Sequence, residues 1–354
     1  MAGVTGREAR AAFAKFATNS WGVAASVTRG VYFTSDGGAK LAYARVNDES
    51  FGQNFYGRGE LGDIQAQDIT LTSRDRYGDY QYILEALAMG SPAAVTISNS
   101  TTGQTTSWQH VINLAPSIDG LGITLAYDKV QFVEEMTSAK VYGFTKAVGD
   151  GGVMDNTFQL MGNRDTDISS INTRSTVNGA TFPALDNRVF RKQGTFRMNV
   201  QSAGSLTTTD AINLENITFE FSRPQDAPFV TGQDFIFEPG DNGFPTTKLT
   251  ITYPRMSTVS ANSLFSALRN DTVMKADLTF QGAFINSTDR YTEKIEWPAL
   301  EFDTEAFTTN LTGAEQVKPQ ATFIAKTSAT TPTGFTFINP FRLTRITAQS
   351  LIAF

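Results

Sequence analysis

Residues 68–97, DITLTSRDRYGDYQYILEALAMGSPAAVTI, and residues 248–280, KLTITYPRMSTVSANSLFSALRNDTVMKADLTF, read as two versions of one pattern. Ile69-Thr70-Leu71-Thr72 aligns with Leu249-Thr250-Ile251-Thr252, the apolar residues alternating onto one face as in a strand. Arg74 aligns with Arg255 once Pro254 is taken as an insertion. Tyr80, Ile83, Leu84 and Leu87 recur as Ala261, Leu264, Phe265 and Leu268, the stripe of a helix with one apolar face. Asp79 and Ser260 stand before the stripes as N-caps, and Gly90 and Asn270 close them with residues that tolerate a left-handed position. Strands restart at Val95-Thr96-Ile97 and at Leu278-Thr279-Phe280. The agreement of strand, cap, helix, stop and strand at a spacing of about 180 residues predicts an internal duplication rather than a short solenoid repeat.

A chain of 354 residues can hold two such domains. Hydrophobic residues make up 40% and charged residues only 18%, a composition that suits β-sheet and surfaces covered by neighbouring subunits. There is no cysteine, so disulfides, thiolate metal sites and cysteine nucleophiles are excluded. The first residues lack the apolar core of a secretory signal, and no run approaches a membrane span, so membrane insertion is not expected.

Charge is unevenly placed. Residues 1–29 carry Arg7, Arg10, Lys15 and Arg29 against Glu8, a net of +3, and residues after Glu315 carry Lys318, Lys326, Arg342 and Arg345, a net of +4. The formal total of −6 therefore leaves −13 on residues 30–315. The basic end is also apolar, with Phe335, Phe337 and Phe341, and is expected to dock on another acidic body.

Strand patterns dominate from Val31 onward, and the class is mainly β. The division reads as an N-terminal helix or extended arm (1–29), a first domain (30–148), a connector (149–187), a second domain (188–330) and a C-terminal arm (331–354). The arm at the N-terminus is anchored by Phe13, Phe16 and Trp21. Long glycine-rich loops at 47–68, with Phe51, Phe55 and Tyr56, and at 224–247, with Phe229, Phe235, Phe237 and Phe244, are of a kind that is usually functional or disordered. Four phenylalanines in one loop either fold back or meet a partner.

A search for chemistry finds little. His110, the single histidine, lies in the alternating Trp108-Gln109-His110-Val111-Ile112 and reads as an ordinary strand residue. Gly149-Asp150-Gly151-Gly152 lacks the Lys-Ser/Thr of a phosphate loop and reads as a turn. Asp165 and Asp167 match only half of a calcium loop. Glu134 and Glu135 point to opposite strand faces, and Glu293, Glu296, Glu301 and Asp303 read as solvated strand faces rather than paired carboxylates. No enzyme activity, cofactor or metal is expected. A basic groove is also missing, and a body of this acidity would repel phosphates, which suits a conduit that lets DNA slide.

The opening AAFAKFATNSWGVAA, the following Thr28-Arg29-Gly30-Val31-Tyr32-Phe33-Thr34-Ser35, the ITLTSR strand and the helix DYQYILEALAMG resemble the tail tube proteins of long-tailed bacteriophages. The resemblance covers most of residues 10–146 and, more loosely, 195–326. It implies two tandem tail-tube-like β-sandwich or partial-barrel domains, each with one short flanking α-helix. It further implies trimeric, pseudo-hexameric rings that stack through the two long loops and the terminal arms. Phe13, Phe16, Trp21, Phe51, Phe55, Tyr56, Phe229, Phe235, Phe237, Phe244, Phe335, Phe337, Phe341, Arg342 and Arg345 would then touch neighbouring subunits or rings. The partners implied are further copies of the chain, a tape-measure protein in the lumen, tail terminator and tail tip proteins, and passing double-stranded DNA held without tight binding. The location implied is the virion, after assembly in the host cytoplasm.

Two other functions fit the residues. One is a carbohydrate-binding or adhesive β-protein of a tail tip or baseplate, with Trp108, Trp297 and Tyr291 as sugar platforms; the other is a glycosidase using the acids of the second half. Under the tube reading, deletion of residues 331–354 should leave folded subunits that no longer polymerise.

Overall fold

Two long strands organise the chain, one of 16 residues at Val133–Val148 and one of 19 at Arg290–Thr308. The computed structural model describes residues 9–15, 21–34, 43–47, 59–64, 67–90, 96–99, 105–148, 150–163, 165–166, 169–183, 187–232, 235–255, 266–308 and 318–349. In chain order the elements begin with β1 (Arg10–Lys15), β2 (Arg29–Val31), β3 (Tyr43–Asn47), β4 (Gly59–Ile64), β5 (Gln67–Arg74) and α1 (Gln81–Ala88). They continue through β6 (Thr96–Asn99), β7 (Trp108–Asn113), β8 (Ile123–Asp128), β9 (Val133–Val148), β10 (Met154–Gly162), β11 (Asp165–Thr166) and α2 (Arg174–Gly179). The second half holds β12 (Gly194–Val200), β13 (Ala211–Ile212), β14 (Asn216–Ser222), β15 (Gln225–Asp226), β16 (Gly240–Asp241) and β17 (Thr246–Thr252). It ends with β18 (Met274–Phe284), β19 (Arg290–Thr308), β20 (Gln320–Ala325) and β21 (Arg342–Thr347). The protein is mainly β, with one large antiparallel sheet and few short helices, as its composition predicts. None of the described helices is long and apolar enough to cross a membrane.

The long strands join ladders that shorter strands could not. The first part of β9 pairs with β8, and its last part lies between β10 and β14. The first part of β19 lies between β18 and β21, and its later residues pair with β20. Among the described residues no closed barrel forms. Phe144 of β9, Phe219 and Phe221 of β14, Trp297 of β19 and Phe341 form an interlocked aromatic centre, with ring centroids 5.1–5.9 Å apart. Tilted and edge-on contacts of this kind add to the area they bury. The hydrophobic cluster around them runs from Ala11 to Leu343 and takes residues from both halves.

That shared core bears on the expected duplication, which the structure does not show. Both copies start with a strand and pass to helical residues, described at 81–88 and 266–269. Their surroundings differ: β5 pairs with β10, whereas β17 lies between β14 and β20. β6 pairs with β7, whereas β18 lies between β12 and β19. The left-handed residue after the second helix is Asp271, one position beyond the expected Asn270. Gly90 does take the left-handed position after α1, and a side chain there would strike the Ser117 carbonyl.

Helix α1 departs from a flanking helix in a further way. All eight of its residues are buried, including Gln81 and Glu85, which lie outside the predicted stripe. The segments read as appendages are likewise built into the sheet. β1 pairs with β2 and β8, so residues 10–15 are strand rather than helix. β10, inside the expected connector, pairs with β9 and β5, and α2 packs Val177 against Ala12 and Ala126. Residues 342–347 of the expected C-terminal arm are an interior strand between β7 and β19. A strand with apolar residues on its buried face gains more by completing ladders on both sides than by standing free.

Candidate functional site

The largest concentration of chemistry is a closed ionic cluster beneath α1. Asp75 comes from the turn after β5, Glu85 from α1, Lys146 from β9, Glu293 from β19 and Arg345 from β21, all at most 2% exposed. Lys146 Nζ lies 2.5 Å from Asp75 Oδ2, 2.8 Å from Glu85 Oε1 and 2.7 Å from Glu293 Oε1. Arg345 Nη2 lies 3.1 Å from Asp75 Oδ1, 2.8 Å from Glu85 Oε1 and 3.3 Å from Glu293 Oε2. Arg345 Nη1 also donates to the Arg76 carbonyl at 3.1 Å, and Asn156 Nδ2 donates to Glu85 at 2.8 Å. The β19–β21 register makes Glu293 and Arg345 direct cross-strand partners, which sets the pair before any loop is considered.

Burial and charge divide the carboxyls. Burial alone would raise Asp75, but Arg345 and Lys146 outweigh it and hold its carboxyl down at about 2. Burial pushes Glu293 up to about 7, Asp75 adding to the rise and Arg345 opposing it. Burial disfavours the charge on Lys146, yet Asp75, Glu293 and Glu85 hold its ammonium above the ordinary value. The same balance raises Arg345. Two cations face three carboxyl groups, and Glu293 is the one that burial pushes toward its neutral form. Oxygens of Asp75, Glu85 and Glu293 lie within 4.8 Å of one another, the spacing of a metal site. Lys146 and Arg345 already supply the positive charge there, so a metal would have to displace them.

A second set of buried cations ties down the loop after β14. Arg223 donates to the carbonyls of Ala88 (3.2 Å), Met89 (3.3 Å), Pro116 (3.1 Å) and Ala115, and pairs with Asp241 at 3.3 Å. It thereby caps the C-terminus of α1, where unpaired carbonyls favour a cation. Lys140 Nζ reaches the Pro239 carbonyl at 2.5 Å and Glu238 at 3.0 Å. Trp21 Nε1 donates to the Ile236 carbonyl at 3.0 Å. The loop so held carries Phe229, Phe237 and Phe244, which are 46%, 52% and 92% exposed. Phe244 stands at the rim of an open groove of about 1060 Å³ lined by Leu114, Phe221, Pro245, Ile324 and Pro340.

The residues expected to contact neighbours therefore separate into four groups. Phe229, Phe237 and Phe244 are exposed, while Trp21, Phe235, Phe337 and Arg342 are half-buried. Phe13, Phe335, Phe341 and Arg345 are buried by this chain itself and are corrected to core positions. Phe16, Phe51, Phe55 and Tyr56 lie outside the described residues. The basic end meets acidic partners within the chain: Arg342 Nη2 pairs with Glu296 at 2.7 Å and stacks over Phe337 at 4.2 Å. Glu293 and Glu296 are thus not solvated, which corrects the reading of those acids, and Asp303 is paired with Lys248 at 3.3 Å.

Trp297 is fully buried and offers no sugar platform. His110 is a buried strand residue, as expected, with Nε2 3.2 Å from Thr347 Oγ1 and its ring 5.0 Å from that of Tyr82. Glu134 and Glu135 do not share partners: Glu134 pairs with Lys129, Glu135 with Ser169 and Asn172. Sequence reasoning missed Asp75, Glu85 and Lys146. The available signal was a charge inside an otherwise apolar stretch, Glu85 in YILEALA and Lys146 in VYGFTKAV.

No protein-family model matches the chain, and no curated protein matches it.

Proposed function

We propose that the chain is a structural virion protein that self-assembles into stacked rings, forming the hollow tail tube of a long-tailed bacteriophage. The observation that carries this reading is a loop tied at its base by Arg223 and Lys140 that nevertheless presents Phe229, Phe237 and Phe244 to solvent. Ordering large apolar side chains on an exposed surface costs free energy unless a partner covers them. The large antiparallel sheet and the net acidity of −6 fit a conduit that does not grip DNA. The ionic cluster, the richest set of titratable groups among the described residues, is closed to solvent. In this reading the two related halves act as tandem tail-tube-like domains, and three chains form the ring. Electron microscopy of the purified full-length protein tests it: rings or hollow tubes are expected, and a monodisperse monomer that binds glycans overturns it.

A further inference from the structure

We propose that Lys146 and Asp75 join in an intramolecular amide bond, formed by the chain itself within the ionic cluster. Lys146 Nζ is closer to Asp75 Oδ2, at 2.5 Å, than to either other carboxylate, and both side chains are closed to solvent. Holding nucleophile and acceptor in contact replaces a collision with an intramolecular step.

The surrounding groups supply what the step requires. Glu85 Oε1, 2.8 Å from Nζ, is placed to take a proton from the ammonium and free the nitrogen lone pair. Arg345 Nη2, 3.1 Å from Asp75 Oδ1, is placed to hold the negative charge on that oxygen as nitrogen adds to the carboxyl carbon. Glu293 Oε1 sits 2.7 Å from Nζ, within the 4.8 Å span of the three carboxylates. It is placed to relay a proton from nitrogen to the departing oxygen. The N–C bond forms, the Cγ–Oδ2 bond of Asp75 breaks, and the oxygen leaves as water. Nitrogen begins with three protons and ends with one; the two it gives up, through Glu85 and Glu293, complete the water. No oxidant or reductant is needed.

Charge accounting favours the product. Before reaction two cations and three carboxyl groups are confined out of water. Each buried ion carries a desolvation penalty that its partners offset only in part. Afterwards Lys146 and Asp75 are neutral, and Glu85 and Arg345 remain as one hydrogen-bonded pair at 2.8 Å. Arg345 holds Asp75 ionised, which slows attack, so the bond is a single slow maturation event rather than a fast reaction. A chain with no cysteine gains in this way a covalent brace across residues 75–146 that does not depend on redox conditions.

Mass spectrometry of the denatured full-length chain tests the bond without requiring any variant to fold. The expected mass is that of the encoded chain, allowing for removal of the initiator methionine, less one water. Proteolysis should yield a branched peptide joining Lys146 to Asp75. Lys146→Arg should restore the encoded mass, and Glu293→Gln should lower the cross-linked fraction. An unmodified mass for the natural chain overturns the proposal. So does a lost water that maps to a succinimide, as at Asp150-Gly151, or to a bond with Glu85 or Glu293.

Discussion

Glu293 and Arg345 face each other across adjacent strands, their Oε2 and Nη2 atoms 3.3 Å apart and both side chains sealed from water. The pair joins the last described strand to the longest one, and through Asp75 and Glu85 it anchors the turn and helix of the first half. Removing Arg345 would leave three carboxylates with a single cation. Arg345→Met is expected to destabilise the fold by about 3–5 kcal/mol, as for other buried pairs deprived of one partner. The double variant Arg345→Met/Glu293→Leu should be more stable than the single one. Urea unfolding of the natural chain and both variants measures this, and equal midpoints for the two variants would contradict the pairing.

The cluster and the helix start also set a pH dependence. The fold raises Glu293 from 4.5 to about 7 and Asp79 from 3.8 to about 7, burial being the main cause in each. A raised carboxyl stabilises the fold in its protonated form: its contribution is full below the unfolded value and is lost as pH climbs through the folded one. Asp75, held at about 2, acts in the opposite sense, contributing above 3.8 and losing that contribution as pH falls. Stability is therefore expected to peak near about pH 4–5 and to decline toward neutrality. Asp79→Asn should flatten the decline, as read from thermal melts across that range.

Phe244 is 92% exposed at the groove rim and contributes little to the core. Phe244→Ser should change subunit stability by no more than about 0.5 kcal/mol, as for most surface substitutions. Under the tube reading the same change, combined with Phe237→Ser, should abolish polymer seen by sedimentation. Unaltered tubes from the double variant would remove this loop from the assembly surface.

Arg223 holds four carbonyls and Asp241 at once. Arg223→Met would remove the guanidinium donor from the carbonyls of Ala88, Ala115 and Pro116, while Met89 keeps its bond from the Ala115 amide. Each buried acceptor left unpaired costs about 1–3 kcal/mol before relaxation. The expected result is a lowered Tm together with new proteolytic cleavage between residues 224 and 245. Cleavage resistance equal to that of the natural chain would show that the loop is held by other contacts.

Truncation before residue 331 gives the sharpest contrast with the sequence reading. An external arm could be removed without unfolding the subunit. β21, however, fills the space between β7 and β19, and its loss would open two strand edges and leave Asp75, Glu85 and Glu293 with only Lys146. The truncated chain is expected to be insoluble or unfolded by circular dichroism. A soluble, cooperative domain would restore the arm interpretation.

Local pattern made much of the secondary structure legible. The alternation in Ile69–Thr72 and Leu249–Thr252 falls on strands, the stripe at Ile83, Leu84 and Leu87 falls on α1, and Gly90 turns the chain after it. These features depend on neighbours a few residues away, and the sequence states them directly. The pairing of strands depends on partners far along the chain. So the last strand read as an arm, and residues 154–162 read as a connector.

The ionic cluster shows the same division more clearly. From the sequence alone, Glu293 and Arg345 are a charge on a strand and a charge on a tail, each most simply placed in water. The sequence determined that the chain is β-rich, lacks thiols and carries an acidic body with a basic end. Only the tertiary structure decided that this basic end neutralises acids of its own chain. The reason is physical: a charge can be buried only where opposite charges converge, and convergence over more than 200 residues is a property of the packed fold, not of any window of sequence.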